Sequence, residues 1–219
     1  SDNLILSVNR AFTRITEYQP DDVLGQNPKM LSSGQHDQAF YRSMWFSIQR
    51  QGYWQGEIWN KTKTGHVYPQ WLSITAIQDA QNQVTHYLGI FSDISEKIQA
   101  AETIWRQANF DLLTGLPNRI RFYDRLQQDI RKAGRSQEKL ALMFIDIDRF
   151  KEVNDSVGHN RADTLLKVVA ERLVSCVPDT DLLARLGGDE FTVILNEVPD
   201  VDVVERLATQ IMQQLSLPF

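Results

Sequence analysis

Leu186-Gly187-Gly188-Asp189-Glu190-Phe191 lies between two apolar runs, Leu182-Leu183-Ala184 and Phe191-Thr192-Val193-Ile194-Leu195. Paired glycines between such runs predict a β-hairpin whose tip takes positive φ, a conformation glycine adopts without steric cost. Asp189 and Glu190 follow the tip at once. Carboxylates presented by a tight turn suit a hard cation. An ordinary acidic turn carries the same letters, so the hairpin alone does not decide the chemistry.

Upstream, Leu140-Ala141-Leu142-Met143-Phe144-Ile145 is a continuous apolar run, the pattern of a buried strand. It ends in Asp146-Ile147-Asp148, and Phe150-Lys151, Asn154-Asp155, Gly158-His159 and Asp163 follow. Carboxylates at a strand end, with a helix start and a lysine just after, form a corner for metal and phosphate. Free N–H groups at a helix N-terminus attract phosphate, and a carboxylate-held Mg²⁺ bridges phosphate oxygens. The alternative is that Asp146 and Asp148 are polar residues that merely end a strand. Asp146 abuts an apolar run, and a buried carboxylate needs a partner.

With these motifs in order, residues from 109 to 219 resemble a GGDEF domain, the diguanylate cyclase family. The matching residues are Asp111 through Arg119, Phe144 through Asp155, Gly158-His159 and Leu186 through Phe191. The resemblance implies condensation of two GTP into cyclic di-GMP with release of pyrophosphate. It implies that Asp146, the Ile147 carbonyl and Asp189 hold Mg²⁺ or Mn²⁺. Asn154 and Asp163 would read the guanine edge, with His159, Gly187 and Gly188 also on the substrate side. Phe150 would offer its backbone N–H to phosphate, and Lys151 would neutralise charge in the transition state. Asp189, with Glu190 beside it, would help activate the ribose 3′-hydroxyl.

The chain has 219 residues and a net charge of −5, which excludes a general nucleic-acid footprint. Its one cysteine, Cys176, lies in an apolar helical stretch and reads as a small buried hydrophobe. No disulfide framework is available, which fits a reducing, cytoplasmic compartment. No apolar run reaches membrane-spanning length and no signal peptide is present; a parent chain could still be membrane-anchored.

Residues 1–94 read as a small α+β unit. Leu4–Val8 is expected to be a short strand, Asn9 to cap a helix, Pro20-Asp21-Asp22 to start a helical turn, and His36–Gln49 to be helical. Strands are expected over Trp54–Asn60, His66–Ile77 and Thr85–Asp93, joined as antiparallel hairpins. This half resembles a PAS domain through Val8–Phe12, Leu24–Pro28, Gly52–Asn60, Tyr68–Trp71 and Gly89–Ile94. PAS domains sense ligands, redox state or light, or serve as dimerisation modules. Light-sensing flavin members place a cysteine where this chain has Pro28, so cysteinyl-flavin photochemistry is not expected. Asn27–Gly34 resembles redox-sensing PAS domains that hold FAD. Trp45, Trp54, Trp59 and Trp71 line a cofactor pocket or pack the core and hairpins, and packing is the commoner use. His36, His66 and His86 are haem-ligand types in surface-like positions, read here as solvated.

Residues 95–109 form the linker. Ile94, Ile98, Ala101, Trp105, Ala108 and Leu112 alternate at coiled-coil spacing. That seam serves either a homodimer or packing of the helix on its own domain. Residues 110–219 form the GGDEF part. Pro117 is expected at a first helical position, and Asn118–Arg131 to bury Ile120, Tyr123, Leu126 and Ile130. Leu165, Leu166, Val169, Leu173 and Val177 are expected to face the core, with a last helix over Val201–Leu215. The whole is α/β (α+β) in two domains: a PAS-type antiparallel sheet with flanking helices, then a nucleotidyl-cyclase-like domain.

The sequence departs from the GGDEF pattern in places. Members inhibited by their product carry Arg-x-x-Asp before the hairpin, whereas this chain has Pro178-Asp179-Thr180-Asp181. Without that arginine, no tight inhibitory site is expected. Ala162 stands where a glycine usually precedes Asp163. Both chain ends are expected to be cut within their domains. The reading is a PAS-regulated diguanylate cyclase. The rival is a GTP-binding regulatory domain controlling a downstream EAL phosphodiesterase, and a pure scaffold is a third.

Overall fold

The computed structural model of the chain describes residues 3–219. It separates into a compact unit ending at Ala101 and another spanning Glu102–Phe219.

In the first unit Asn9 starts α1 (Arg10–Thr16), its side-chain oxygen accepting the Phe12 N–H at 2.9 Å. This is the predicted N-cap. α2 (Pro20–Val23) opens on proline, which has no N–H to leave unpaired. A single 3-10 turn, Pro28–Leu31, follows beneath Asn27, and Asp37 caps α3 (Gln38–Gln51). β1 (Tyr53–Lys61), β2 (Val67–Gln78) and β3 (Val84–Asp93) form an antiparallel sheet in that order. Phe12, Val23 and Leu31 form a buried cluster beside it, with Phe91 packed against them. Ile58, Tyr68 and Gln70 are buried on the sheet's inner face.

Two expectations fail in this unit. Residues 4–8 form no strand. Ile5 exchanges 2.9 Å backbone bonds with Gly25 and Gln26, a single pairing point too short for a ladder. His36 is no solvated histidine: it is half-buried, its Nε2 accepts the Trp59 N–H at 3.0 Å, and its ring stacks on Phe40. His66 and His86 are exposed. Trp54 packs edge-on to Phe40 and Trp45 to Tyr87, while Trp71 is exposed. Of the stretch that resembles FAD-holding members, Leu31 is buried, Ser32 bonds the Tyr41 hydroxyl and Ser33 donates to the Trp59 carbonyl.

α4 (Ser95–Asn109) covers the residues expected to form the linker, and none of them is buried. The second unit continues with α5 (Arg119–Ser136), β4 (Ala141–Ile145), α6 (Phe150–Val157) and α7 (His159–Cys176). β5 (Leu182–Gly187), β6 (Glu190–Leu195) and α8 (Val201–Leu215) complete it. The sheet order is β4-β6-β5, antiparallel throughout. Alternation along β6 feeds both faces. Phe191, Val193 and Leu195 pack with Leu166, Val169 and Leu173 of α7, and Ile194 packs with Ala184 and Phe122 of α5. Cys176 is buried. Among the described residues no helix is long and apolar enough to cross a membrane.

Four expectations fail in this unit. β4 is an edge strand, not a buried one, with Leu142 40% and Phe144 69% exposed. Asp146 at its end is exposed too, so burial does not oblige it to find a partner. On α5 the inward face carries Phe122 and Leu126, while Ile120, Tyr123 and Ile130 face outward. The helix has two apolar stripes, and the stripe holding the large Phe122 is the one that meets Ala184 and Ile194. Pro117 precedes the helix: Asn118 is the N-cap, and the Pro117 carbonyl accepts the Arg185 N–H at 3.0 Å.

Candidate active site

Strand register gathers the acidic residues. Gly187 pairs with Glu190 across the β5–β6 hairpin, which leaves Gly188-Asp189 as its turn. The tip glycines have φ of +143° and +55° at Gly187 and Gly188. A Cβ at either would meet nothing within 4 Å, so the backbone conformation, not space, calls for glycine. On the other side of β6, Ile145 pairs with Phe191. Asp146 and Glu190 therefore leave the ladder at one end of the sheet, beside the turn that carries Asp189. Asp189 is half-buried and Glu190 exposed, with Arg119 Nη2 3.7 Å from the Glu190 carboxylate.

Beyond Asp146 the chain turns sharply. The Phe150 N–H, expected to meet phosphate, donates at 3.2 Å to the Ile147 carbonyl, expected to meet the metal. That carbonyl keeps a second lone pair. Arg149 enters α6 at φ +60°, and no side chain caps the helix. Lys151 is exposed on its first turn. Further along, Asn154 Oδ1 is buried with no hydrogen-bond partner. A buried orphan acceptor costs the desolvation of that oxygen, about 1–3 kcal/mol. Gly158, at φ +81°, separates α6 from α7, and the two helices pack together. His159 and Asp163 are exposed near the start of α7, and Ala162 between them is buried.

Among the described residues no group of three or more His, Cys, Asp or Glu side chains gathers as a ready metal cage. Asp146, Asp189 and the Ile147 carbonyl supply hard oxygens. Oxygens of this kind are what Mg²⁺ takes as ligands beside water and phosphate, so the donor types fit the ion.

Arg185 and Asp111 also belong to this region, and the sequence reading gave them no role. Arg185 is 8% exposed, and its Nη1 donates to Asp111 Oδ1 at 2.8 Å. Nε and Nη2 both donate to the Gly188 carbonyl, at 3.0 and 2.6 Å. The same Asp111 oxygen accepts the Thr114 N–H and hydroxyl. Burial opposes the Asp111 charge, yet the bonds from Thr114 and Arg185 outweigh it and hold the carboxyl below its usual range. An arginine inside an apolar strand was the available signal, since a buried guanidinium requires partners. Asp181, the acidic half of the inhibitory motif, accepts the Asn196 N–H at 2.9 Å, and burial raises its pKa.

The family described as "Diguanylate cyclase, GGDEF domain" matches residues 108–219, and a PAS domain family matches residues 1–96. The diguanylate cyclase TpbB of Pseudomonas aeruginosa is 45% identical over 113 residues, covering 52% of this chain and 26% of that protein. The cyclic di-GMP phosphodiesterase PdeR of Escherichia coli is 30% identical over 212 residues, 96% of this chain and 32% of its own length. The chain thus spans a third or less of these relatives. The coiled coil and GGDEF domain of DgcB from Caulobacter crescentus, solved in complex with c-di-GMP, superposes with a TM-score of 0.51 at 30% identity. It covers 54% of this chain and 61% of that one.

Proposed function

Because the chain belongs to the GGDEF family of diguanylate cyclases and carries a PAS domain before it, we propose that it performs signal-regulated synthesis of cyclic di-GMP. Two GTP molecules, one on each of two chains, react in pairs. Each ribose 3′-oxygen bonds to the α-phosphorus of the other GTP, the α–β bridging bond breaks, and pyrophosphate leaves. The 3′-hydroxyl proton passes to the Asp189–Glu190 carboxylates. Two chains are needed because each supplies one nucleotide in line with the other.

The observation that carries this reading is the register that brings Asp146, Asp189 and Glu190 to one end of the sheet. In support, Asn154 Oδ1 is a buried acceptor without a donor, and the guanine edge offers N1–H and N2–H₂. Asp163 adds a second acceptor from α7, with His159, Gly187 and Gly188 lining the nucleotide. Lys151 would balance phosphate charge, and the Phe150 N–H would exchange its bond to Ile147 for one to phosphate. Asp146, Asp189 and the Ile147 carbonyl would hold Mg²⁺ or Mn²⁺, which as a Lewis acid polarises phosphate oxygens. The PAS unit and α4 would supply the sensory input and the dimer contact.

The test is incubation with GTP and Mg²⁺ followed by chromatography of the nucleotides. Cyclic di-GMP formed from GTP supports the cyclase. GTP bound but unchanged across protein concentrations overturns it and favours the second reading, a GTP-binding regulatory domain for a downstream EAL phosphodiesterase. The similarity to PdeR over nearly the whole chain motivates that alternative.

A further inference from the structure

We infer that Arg185 and Asp111 are positioning residues that fix the direction of the hairpin tip and so aim Asp189. The inference rests on the catalytic reading of Asp189 given above.

The tip has a mechanical problem. Gly187 and Gly188 permit the turn, but glycine is also the residue with most backbone freedom to lose. A peptide plane between two unconstrained residues can flip and carry the next side chain with it. The Gly188 carbonyl lies in the same rigid plane as the Asp189 N–H. Arg185 grips that carbonyl with both Nε and Nη2. Two donors from one planar fork fix direction as well as distance. The plane is thereby held, and with it the departure of the Asp189 side chain.

The grip is itself anchored. Arg185 is the one buried basic side chain among the described residues. Its third bond runs to Asp111, whose carboxylate is held by Thr114 and whose N–H donates to the Leu116 carbonyl at 2.8 Å. The Arg185 N–H donates to Pro117, in the same turn. A buried ion pair gives little net stability, because desolvation offsets attraction. Its directional bonds are what remain to explain it.

Arg185→Lys separates aiming from charge. Lysine keeps the positive charge and can pair with Asp111, but its ammonium cannot fork onto the Gly188 carbonyl while doing so. Asp111→Asn is the second variant, in case lysine disturbs folding. Two measurements are read on the full chain. Without nucleotide, amide hydrogen exchange should show lost protection at Gly188–Glu190 with the β5–β6 ladder intact. In equilibrium binding, the Mg²⁺ concentration for half-maximal GTP uptake should rise about tenfold, the scale expected when a ligand loses its outer support. Guanosine, which carries no phosphate, should bind unchanged. Unchanged tip exchange and unchanged Mg²⁺ requirement in both variants overturn the inference, whatever happens to melting temperature. If the unsubstituted protein binds no GTP with Mg²⁺ at all, the catalytic reading fails, and tip exchange alone still decides whether the brace exists.

Discussion

Asp189 and Asp111 sit close together in the fold and answer to different tests. Asp189 lies in a turn, half-buried, outside the hydrophobic clusters. Asp189→Ala should therefore cost activity rather than stability. With the roles proposed for it as proton acceptor and metal donor, its loss should lower cyclic di-GMP synthesis by at least about 10²-fold. The melting temperature should barely move, as for substitutions away from core and network; full turnover in that variant would remove the role. Asp111 is the reverse case. Its folded pKa lies below the usual 3.8. A depressed carboxylate stabilises the fold above its unfolded pKa, and that stabilisation is lost as pH falls through the lower folded value. Asp111→Asn should accordingly melt earlier than the unsubstituted protein at pH 7, with the gap closing as pH drops below about 4. A gap that persists at pH 3 would mean that packing, not charge, ties down the 111–117 turn.

The elements show which forces leave a mark in sequence. α1, α3, α5 and α8 each open on the Asn or Asp that caps them, and the tip glycines announce their turn. Local rules suffice there. Residues 4–8, the open face of β4 and the inward stripe of α5 depend on which neighbour is present, and local pattern does not carry that. Asp146 shows the same limit: an apolar run before it reads as burial, yet edge position leaves it exposed. The candidate set was open to proposal from sequence because its residues cluster in short motifs. The Arg185–Asp111 pair was not, since its members lie far apart in sequence and only the fold joins them. β2 offers an element-scale test. Tyr68, 1% exposed, donates its hydroxyl to buried Gln70 at 3.1 Å, and burial, with the Asp93 charge, pushes its pKa to about 12. Stability from the protonated phenol is complete below the unfolded pKa near 10 and is lost as pH rises through about 12. Tyr68→Phe should cost about 1–3 kcal/mol at pH 7, because Gln70 loses its donor. It should also lessen the alkaline loss of stability expected of the unsubstituted protein. Equal loss of stability in both proteins between pH 10 and 12 would place that sensitivity elsewhere.

At the scale of the molecule, the proposed chemistry sets requirements that no single chain meets. Product control is one. Pro178 stands in place of the arginine, and Asp181 is engaged by the Asn196 N–H, so the motif lacks its own planar reader for phosphate or guanine. Added cyclic di-GMP should leave turnover unchanged, and inhibition with non-competitive kinetics would contradict this. Pairing of chains is the other. α4 has no buried residue, and its seam keeps Ile98 36% and Trp105 50% exposed. Trp105 already lies against Phe110 and the Arg121 guanidinium. Ile98 is therefore the cleaner probe. Only part of its surface remains to be covered, so a pair of copies offers about 1–2 kcal/mol across the seam. Ile98→Lys should raise the dimer dissociation constant about tenfold or more in sedimentation. Turnover per chain should fall at low protein concentration and recover at high concentration, because mass action restores the pair without restoring the residue. Turnover per chain independent of concentration in both proteins would mean that α4 is not the contact, and would favour the regulatory reading, in which one chain acts alone.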